Sequence, residues 1–280
     1  MPVSRRRCNV KKLLATAILL LATSGQGIAA PQRIMSLKLC TDQVLMDLVP
    51  ASRIASISFL SRESAALKAW PQAAAIPINH NTAEEVLAVH PDLVLTDNFT
   101  APAMRAVLAR SGAKILEVPE ARNFGEIRAV MRLVGDAVGA RPKAEALIAR
   151  MDETLRRLAA TVPARPIRVA GWGGGGFVPG RDGLFNTILA AAGAVSVAPG
   201  GGGYYDVESL IAAKPDVLAY GDNYSDMPTL RADQNDHPAL LKLYGKRRVS
   251  YPSPFYGCGL PQSADAAAAL RLQLQQAMQP

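Results

Sequence analysis

The three histidines are the side chains of this sequence best suited to metal binding or proton transfer. They are His80, His90 and His237, and none has a second histidine four residues away, the spacing that puts two metal ligands on one helix face. His80 and His237 could together hold bare zinc or manganese, but "HNTAEE" and "NDHPAL" are typical of a loop and a helix cap. We therefore predict no metal site.

Motifs of catalysis and of cofactor binding are also lacking. The sequence has neither a G-x-S-x-G nucleophile turn nor an H-E-x-x-H zinc helix. The stretch "GWGGGGF" contains G-x-G-x-x-G at Gly171, Gly173 and Gly176, but a dinucleotide site needs a helix to begin there, and "FVPG" follows instead. We predict a protein without cofactor and without catalytic activity. A periplasmic enzyme remains an alternative, because catalytic groups can be distant in sequence.

The first thirty residues have the pattern of a secretory signal peptide. Five basic residues precede the apolar run "LLATAILLLA", and "GIAA", rich in small residues, ends the segment. The apolar run is too short to span a bilayer as a permanent helix. We expect cleavage of residues 1–30 and a periplasmic mature protein, with the general and the twin-arginine export routes both open at Arg6 and Arg7. Loss of these five basic residues lowers the net charge from +8 to +3, which argues against a nucleic-acid partner.

Two of the three cysteines, Cys40 and Cys258, remain after cleavage and enter an oxidising compartment. Each follows a predicted strand, in "SLKLCTDQ" and "PFYGCGLP", at opposite ends of the mature chain. Three interpretations are open: a disulfide, a thiolate that ligates iron or cobalt in a bound chelate, or two buried thiols that pack as apolar groups. A free pair is the least stable state in such a compartment, so we rank the disulfide first.

Short apolar runs alternate with helical segments from residue 33 onward. "RIMSL", "RIASIS", "LVL" and "PIRVAGW" read as buried strands. Thr41 or Asp42 is a candidate cap for the first helix, and Thr82 with Glu85 forms a capping-box pattern. Such alternation predicts an α/β fold in which parallel strands are covered by helices on both sides.

The chain carries an internal repeat on either side of one long helix. "AEEVLAVHPDLVL" at residues 83–95 returns as "VESLIAAKPDVLA" at residues 207–219, an offset of 124 positions. Between them, residues 141–161 have apolar side chains at helical spacing: Leu147, Ile148, Met151, Leu155 and Leu158. We predict two similar lobes, residues 31–140 and 162–280, joined by a linking helix over residues 141–161.

With these features, the chain resembles the substrate-binding proteins of ABC importers for iron–siderophore complexes, haem and cobalamin. The resemblance rests on "RIMSL", the repeat, the linking helix and "FVPGRDGLFNTILAAAGA" at residues 177–194. It implies a ligand cleft between the lobes, a monomer, and an inner-membrane permease as partner. It further implies that Glu84 and Glu208, one on each lobe, meet arginines of that permease. A ferric siderophore is the leading ligand, with haem and cobalamin as alternatives.

Residues near the carboxyl ends of strands are the candidate ligand contacts, because ligands bind there in open α/β sheets. Aromatic faces suit a large, partly apolar chelate, and we expect about half of the aromatic candidates to belong to the core. Lys38 and Arg181 are candidates to offset an anionic chelate. The predicted ligand-binding residues are Cys40, Asn79, His80, Trp172, Phe177, Tyr204, Tyr205, Phe255, Tyr256 and Cys258.

Overall fold

The computed structural model describes residues 29–63, 66–98, 100–172, 177–180, 182–197, 202–221, 237–251 and 254–279. Almost all of the predicted signal peptide lies outside these ranges, as do Gly173, Gly176 and Arg181. The chain from Pro31 to Pro280 forms one compact unit. Among the described residues, no helix is long and apolar enough to cross a membrane.

The elements follow the predicted alternation. The strands are β1 (Ile34–Ser36), β2 (Ile54–Ser58), β3 (Ile78–Asn79), β4 (Leu93–Asp97), β5 (Lys114–Val118), β6 (Ile167–Trp172), β7 (Phe177–Val178), β8 (Ala194–Ser196), β9 (Gly203–Tyr204), β10 (Val217–Gly221) and β11 (Arg248–Tyr251). The helices are α1 (Leu39–Leu48), α2 (Leu60–Glu63), α3 (Ala66–Ala69), α4 (Ala83–Val89), α5 (Pro102–Arg110), α6 (Phe124–Ala137), α7 (Arg141–Ala159), α8 (Leu184–Ala191), α9 (Val207–Ala212), α10 (Pro238–Tyr244), α11 (Pro254–Gly257) and α12 (Ser263–Ala277).

Two parallel sheets form the centres of two lobes. The first sheet has the strand order β3-β2-β1-β4-β5, and the second has β11-β10-β6-β8. Strands β7 and β9 pair separately and antiparallel. We call β1 to α6 the first lobe and β6 to α12 the second lobe. The predicted α/β fold with two helix-flanked parallel sheets is confirmed.

Each sheet buries both of its faces, and side chains alternate between them. In the first sheet Ile34 and Leu93 face one cluster, whereas Met35 and Val94 face another. The first of these clusters continues through α7 into the second lobe, where Val169 belongs to it. Because one apolar cluster runs from lobe to lobe, separating the lobes would expose core surface to water.

The linking helix α7 has 19 residues and buries one apolar stripe. Ile148, Met151 and Leu158 are buried, and Leu147 and Leu155 pack against them at the edge. This is the face that the spacing predicts.

Side chains from both lobes hold this helix. From the first lobe, Arg128 on α6 pairs with Asp152, and Arg132 pairs with Glu145 at 2.9 Å. From the second lobe, the buried Arg271 on α12 donates to the carbonyl of Leu158 at 2.7 Å, and also to carbonyls at the end of α8. Arg271 therefore caps two helix ends at once, where unpaired carbonyls favour a cation.

The proline-aspartate turn of the repeat has the same hydrogen bonds in both lobes. The Asp92 carboxylate accepts from the backbone amide of Arg33 at 3.1 Å, and the Asp216 carboxylate accepts from that of Arg168 at 2.9 Å. Each aspartate thus fixes the start of the neighbouring strand, β1 or β6. A shared structural role therefore accounts for the aspartate in both copies.

The residue before each proline of the repeat, Pro91 or Pro215, has a left-handed conformation just beyond the end of its helix. The φ angle is 47° at His90 and 49° at Lys214. The side chains of Arg33 and Arg168 donate to the carbonyls of these two residues and to those just before them. The arginines satisfy carbonyls that the helix end leaves free, so His90 and Lys214 occupy equivalent structural positions.

The start of α1 differs from the prediction. Its N-cap is Lys38, which makes no side-chain cap, so the assignment of Thr41 or Asp42 as the cap is wrong. Both residues are buried in the first turn instead. Burial raises the pKa of Asp42 to about 8, against the opposing hydrogen bonds from Ser36, Ser61 and Ser58. Ser58 and Ser61 are 16 and 19 positions away along the chain, so the local sequence around Asp42 does not indicate that it is buried against them.

Candidate ligand-binding site

A cavity of about 280 Å³ lies at the carboxyl ends of the first sheet, where the second lobe meets it. Residues following β1, β2, β4 and β5 form most of its wall, and the segment after β11 forms the rest. It is lined by Lys38, Leu39, Cys40, Thr41, Val44, Leu60, Asp97, Asn98, Val118, Pro119, Glu120, Ala121, Val130, Cys258 and Gly259. This is the edge at which the open-sheet rule expects a ligand.

The wall of the cavity is mainly apolar, with a few charges. Leu39, Val44 and Val118 are typical of it. Of the charged residues, Lys38 lies 3.7 Å from Asp97 in a half-exposed ion pair. Such a surface suits a large ligand with apolar faces and a small number of polar groups. Because Asp97 already faces Lys38, an anionic ligand would have to compete for that cation.

A disulfide joins Cys40 to Cys258 in the wall of this cavity. The two residues are 218 positions apart in sequence, and their Cα atoms are 5.2 Å apart. Since Cys40 lies on α1 of the first lobe and Cys258 follows α11 of the second, the bond ties the lobes together. Next to it, a Cβ on Gly259 would come within 2.5 Å of the carbonyl oxygen of Ala121. In this structure the thiolate and free-thiol interpretations do not apply, because the bond uses both sulfurs.

Polar and aromatic contacts extend this junction between the lobes. Asp47 of the first lobe accepts from Trp70 Nε1 at 2.8 Å and from Gln262 Nε2 of the second lobe at 2.7 Å. Burial raises the pKa of Asp47, against these hydrogen bonds and the charge of Lys143. Phe255, a predicted ligand contact, packs its ring 5.8 Å from that of Trp70. It therefore serves the lobe junction, and its side chain is half-buried there.

Two of the predicted aromatic ligand contacts are buried, as expected for about half of these aromatic residues. Trp172 is fully buried among Val178, Leu218 and Tyr244. Tyr256 is buried too, with its ring 4.6 Å from that of Tyr251. The reason for Trp172 is the strand period: alternate residues of β6 face opposite sides, and this one faces α9 and α10.

Phe177 and Tyr204 remain exposed, at 41% and 68%. They lie opposite each other on β7 and β9, with ring centroids 5.7 Å apart in an edge-to-face pair. β7 follows β6 in the chain, so the pair comes after the carboxyl end of β6 in the second lobe. Tyr205 is half-buried and packs against the second-lobe cluster that contains Trp172.

Asn79 and His80 follow each other at the end of β3 but have opposite environments. Asn79 is buried and donates to the Ser36 carbonyl and to Ser56 Oγ, both at 2.9 Å. Its side chain holds β3 to strands β1 and β2. His80 is exposed, with 60% of its side chain accessible. Its ring stacks on Phe59, centroids 5.4 Å apart and planes 21° apart.

Glu85 connects His80 to the start of α4. The predicted capping box is present: Thr82 Oγ1 accepts from the Glu85 amide, and the Glu85 carboxylate accepts from the Thr82 amide. The same carboxylate accepts from the His80 amide at 2.9 Å and contacts His80 Nδ1 at 3.1 Å. Partial burial alone would raise the pKa of Glu85, but these hydrogen bonds from Thr82 and His80 outweigh it and lower it to about 2.

Glu84 and Glu208 occupy the same place in two different helices. Each is exposed and second in its helix, after the N-caps Thr82 and Asp206. The two caps act alike, since the Asp206 carboxylate accepts from the Ser209 amide at 2.7 Å. The repeat therefore places one exposed carboxylate on each lobe.

The histidines do not come together in the part of the chain that is described. His237 is the N-cap of α10, where its Nδ1 accepts from the Ala239 amide at 3.3 Å. The helix-cap interpretation of this segment fits that geometry. Within the described residues, no group of three or more histidine, cysteine and acidic side chains is arranged to hold a metal ion.

A sequence profile described as "Periplasmic binding protein" matches residues 34–218. The chain belongs to the periplasmic binding protein family. No match was found among curated proteins.

Solved structures of periplasmic binding proteins share its fold. The haem-binding protein RhuT of Roseiflexus sp. RS-1, in apo form, is 22% identical with a TM-score of 0.72, covering 89% of this chain and 99% of its own. The haem-binding protein HutB of Vibrio cholerae is 19% identical with a TM-score of 0.72, covering 87% and 98%. The vitamin B12 binding protein BtuF of Vibrio cholerae is 16% identical with a TM-score of 0.68, covering 90% and 99%.

Sequence reasoning missed Phe59, Leu60 and Glu120, which follow the carboxyl ends of β2 and β5 in the first sheet. Phe59 and Leu60 directly follow β2, in "RIASISFL". The strand-end rule that selected Asn79 and His80 would also have selected them. Glu120 carries no signal in local sequence, because nothing there indicates that the turn after β5 faces the second lobe.

Proposed function

We propose that this protein captures a metal chelate between its two lobes and delivers it to an ABC importer. The observation that carries the proposal is the mainly apolar cavity at the carboxyl ends of the first sheet, which is closed on one side by Cys258 and Gly259 of the second lobe. Membership of the periplasmic binding protein family supports it. Solute capture at a junction of two lobes needs no catalytic group.

The chelate is a ferric siderophore, haem or cobalamin. Apolar walls and the exposed Phe177–Tyr204 pair favour a ligand with broad apolar faces. Of the similar proteins, RhuT and HutB bind haem and BtuF binds vitamin B12. These similarities favour the two tetrapyrroles over the siderophore that leads on sequence grounds alone.

Glu84 and Glu208 are proposed to dock the protein on its permease. Both are exposed and neither belongs to the cavity wall. Opposite charges on two surfaces speed their encounter and fix their relative orientation. Arginines of the permease would therefore recognise both lobes of the loaded protein together.

Export to the periplasm completes the proposal. Residues 1–30 would direct export and be removed. The Cys40–Cys258 disulfide is compatible with an oxidising compartment. We propose residues 31–140 and 162–280 as the two lobes and a monomer as the working form.

A ligand panel tests this function. Protein from the periplasmic fraction would be titrated with haemin, cyanocobalamin and a ferric hydroxamate siderophore, with zinc and manganese salts as controls, while tryptophan fluorescence is recorded. Trp70 packs against Phe255 across the lobe junction, so it should report occupancy. We expect saturable quenching by one chelate and none by the bare ions. Quenching by zinc alone, or hydrolysis of a substrate panel without chelate binding, would contradict the proposal.

A further inference from the structure

The charges in the wall of the cavity are few, and each already has a partner. Among the described residues of the wall, the charged ones are Lys38, Asp97 and Glu120. The Lys38 ammonium lies 3.7 Å from the Asp97 carboxylate. The Glu120 carboxylate pairs with Arg122 at 3.2 Å, and about half of its side chain is exposed. The described part of the wall therefore holds two carboxylates and one cation, and that cation is engaged by one of the carboxylates.

Both members of the Lys38–Asp97 pair are fixed at their backbones. Asp97 ends β4, where its carboxylate accepts from Thr100 Oγ1 at 3.1 Å and its carbonyl accepts from the Thr100 amide at 3.3 Å. Lys38 is the N-cap of α1, and its carbonyl accepts from Thr41 Oγ1 at 2.8 Å. An ammonium group at the start of a helix attracts an anion, and Asp97 is the anion that the fold itself places there. A ligand carboxylate would have to displace it.

The volume of the cavity admits only part of a large chelate. At about 280 Å³, it lies at the lower limit of the ~300–1,000 Å³ found for ligand pockets. Leu39, Val44 and Val118 are typical of its lining, so the part that enters exchanges water for an apolar surface. A charged group that enters without a partner loses its hydration without compensation.

We infer that Asp97 and Glu120 make this cavity select against anionic chelates, so that the inserted part of the cargo is uncharged or cationic. The inference rests on the proposed function and narrows its ligand class by charge. A chelate whose substituents are amides satisfies this condition, as does a hydroxamate complex without a free carboxylate. A tris-catecholate complex, which carries several negative charges, does not.

Matched pairs of chelates separate charge from shape. The pairs are cyanocobalamin and its e-monocarboxylic acid, the diamide of haemin and haemin, and N-acetyl and N-succinyl ferrioxamine B. Within a pair the metal and its donor atoms are the same, and the second member carries the carboxylate. Each probe would be titrated into wild type while tryptophan fluorescence is recorded. For the pair that binds, we expect the amide member to bind at least about tenfold more tightly, because the other sets a like charge beside Asp97 and Glu120.

Asp97→Asn combined with Glu120→Gln tests the two carboxylates. Both replacements keep the size of the side chain, and they release Lys38 from its ion pair. The preference for the amide member should fall below about twofold or reverse.

Asp136→Asn combined with Glu153→Gln is the matched control. It also removes two carboxylates, one on α6 and one on α7, and neither belongs to the cavity wall. This control should keep the wild-type preference, and circular dichroism should show all variants folded.

Two results overturn the inference and leave the proposed function standing. The first is a carboxylate probe that binds wild type as tightly as its amide partner, or more tightly. The second is a wild-type preference that persists when Asp97→Asn and Glu120→Gln are combined. If no member of any pair binds wild type, the proposed function fails and the inference fails with it.

Discussion

Removal of the Cys40–Cys258 disulfide should weaken the whole fold. The bond closes a loop between residues 218 positions apart. In the chain-entropy model, opening a loop of that length restores roughly 5 kcal/mol of conformational freedom to the unfolded chain. Measured losses for native disulfides are commonly about 2–5 kcal/mol. When Cys40→Ser and Cys258→Ala are combined, we expect the free energy of unfolding to decrease by about 2–5 kcal/mol.

Urea unfolding followed by tryptophan fluorescence measures this loss. Trp70 is buried in the first lobe and Trp172 in the second, so the signal reports both lobes. One apolar cluster runs through both lobes and α7, so we expect one transition, shifted to lower urea with little change in slope. Wild-type protein unfolded in the presence of dithiothreitol should match the double variant.

Two results would refute this reasoning. A loss below about 1 kcal/mol would mean that the bond does not constrain the unfolded chain as the loop length implies. Two alkylated cysteines in the unreduced protein, detected by mass spectrometry, would mean that the bond is absent in solution.

Three further perturbations test other parts of the structure. Asp42 has a pKa of about 8 when folded, against an ordinary 3.8. Its contribution to stability is therefore complete below about pH 4 and is lost as pH rises toward 8, by up to about 1.4 kcal/mol per pH unit. Asp42→Asn should flatten the pH dependence of the unfolding free energy measured in urea, and an unchanged pH dependence would assign it to other groups. Arg271→Leu should lower the free energy of unfolding by about 2–4 kcal/mol, because it leaves the buried carbonyls of two helix ends unpaired, whereas a loss under about 0.5 kcal/mol would show that water replaces the guanidinium. Glu84→Arg with Glu208→Arg should leave chelate affinity within about twofold and abolish uptake by cells; uptake at the wild-type rate would contradict a docking role.

The architecture could be predicted because its signals are local and repeated. Strand alternation marks both sheets, and the apolar stripe of residues 141–161 identifies the linking helix to within two residues. The repeat was visible because its turns use the same bonds twice, with Asp92 and Asp216 fixing the starts of β1 and β6. Such patterns need no knowledge of distant contacts.

The site was harder to predict because a position at a strand end does not determine the direction of its side chain. Trp172 ends a strand yet faces inward, because its position in the two-residue period places it under α9 and α10. Asn79 and His80 are neighbours, and only one of them reaches solvent. Burial of Asp42 depends on Ser58 and Ser61, which no local pattern connects with it. Tertiary partners decided each of these cases.

Capture of a chelate in the cavity between the lobes is tested most directly by placing a charge in the apolar wall of the cavity. Leu60 lines the cavity and is 38% exposed, whereas Leu272 on α12 is 62% exposed and lies outside the cavity wall. Leu60→Glu would set a carboxylate against the apolar face of a bound ligand, which is unfavourable without a partner. Haemin, cyanocobalamin and a ferric hydroxamate would each be titrated into wild type, Leu60→Glu and Leu272→Glu. We predict that the chelate bound by wild type binds Leu60→Glu at least about tenfold more weakly and Leu272→Glu within about twofold; equal affinity of all three proteins would contradict binding in this cavity.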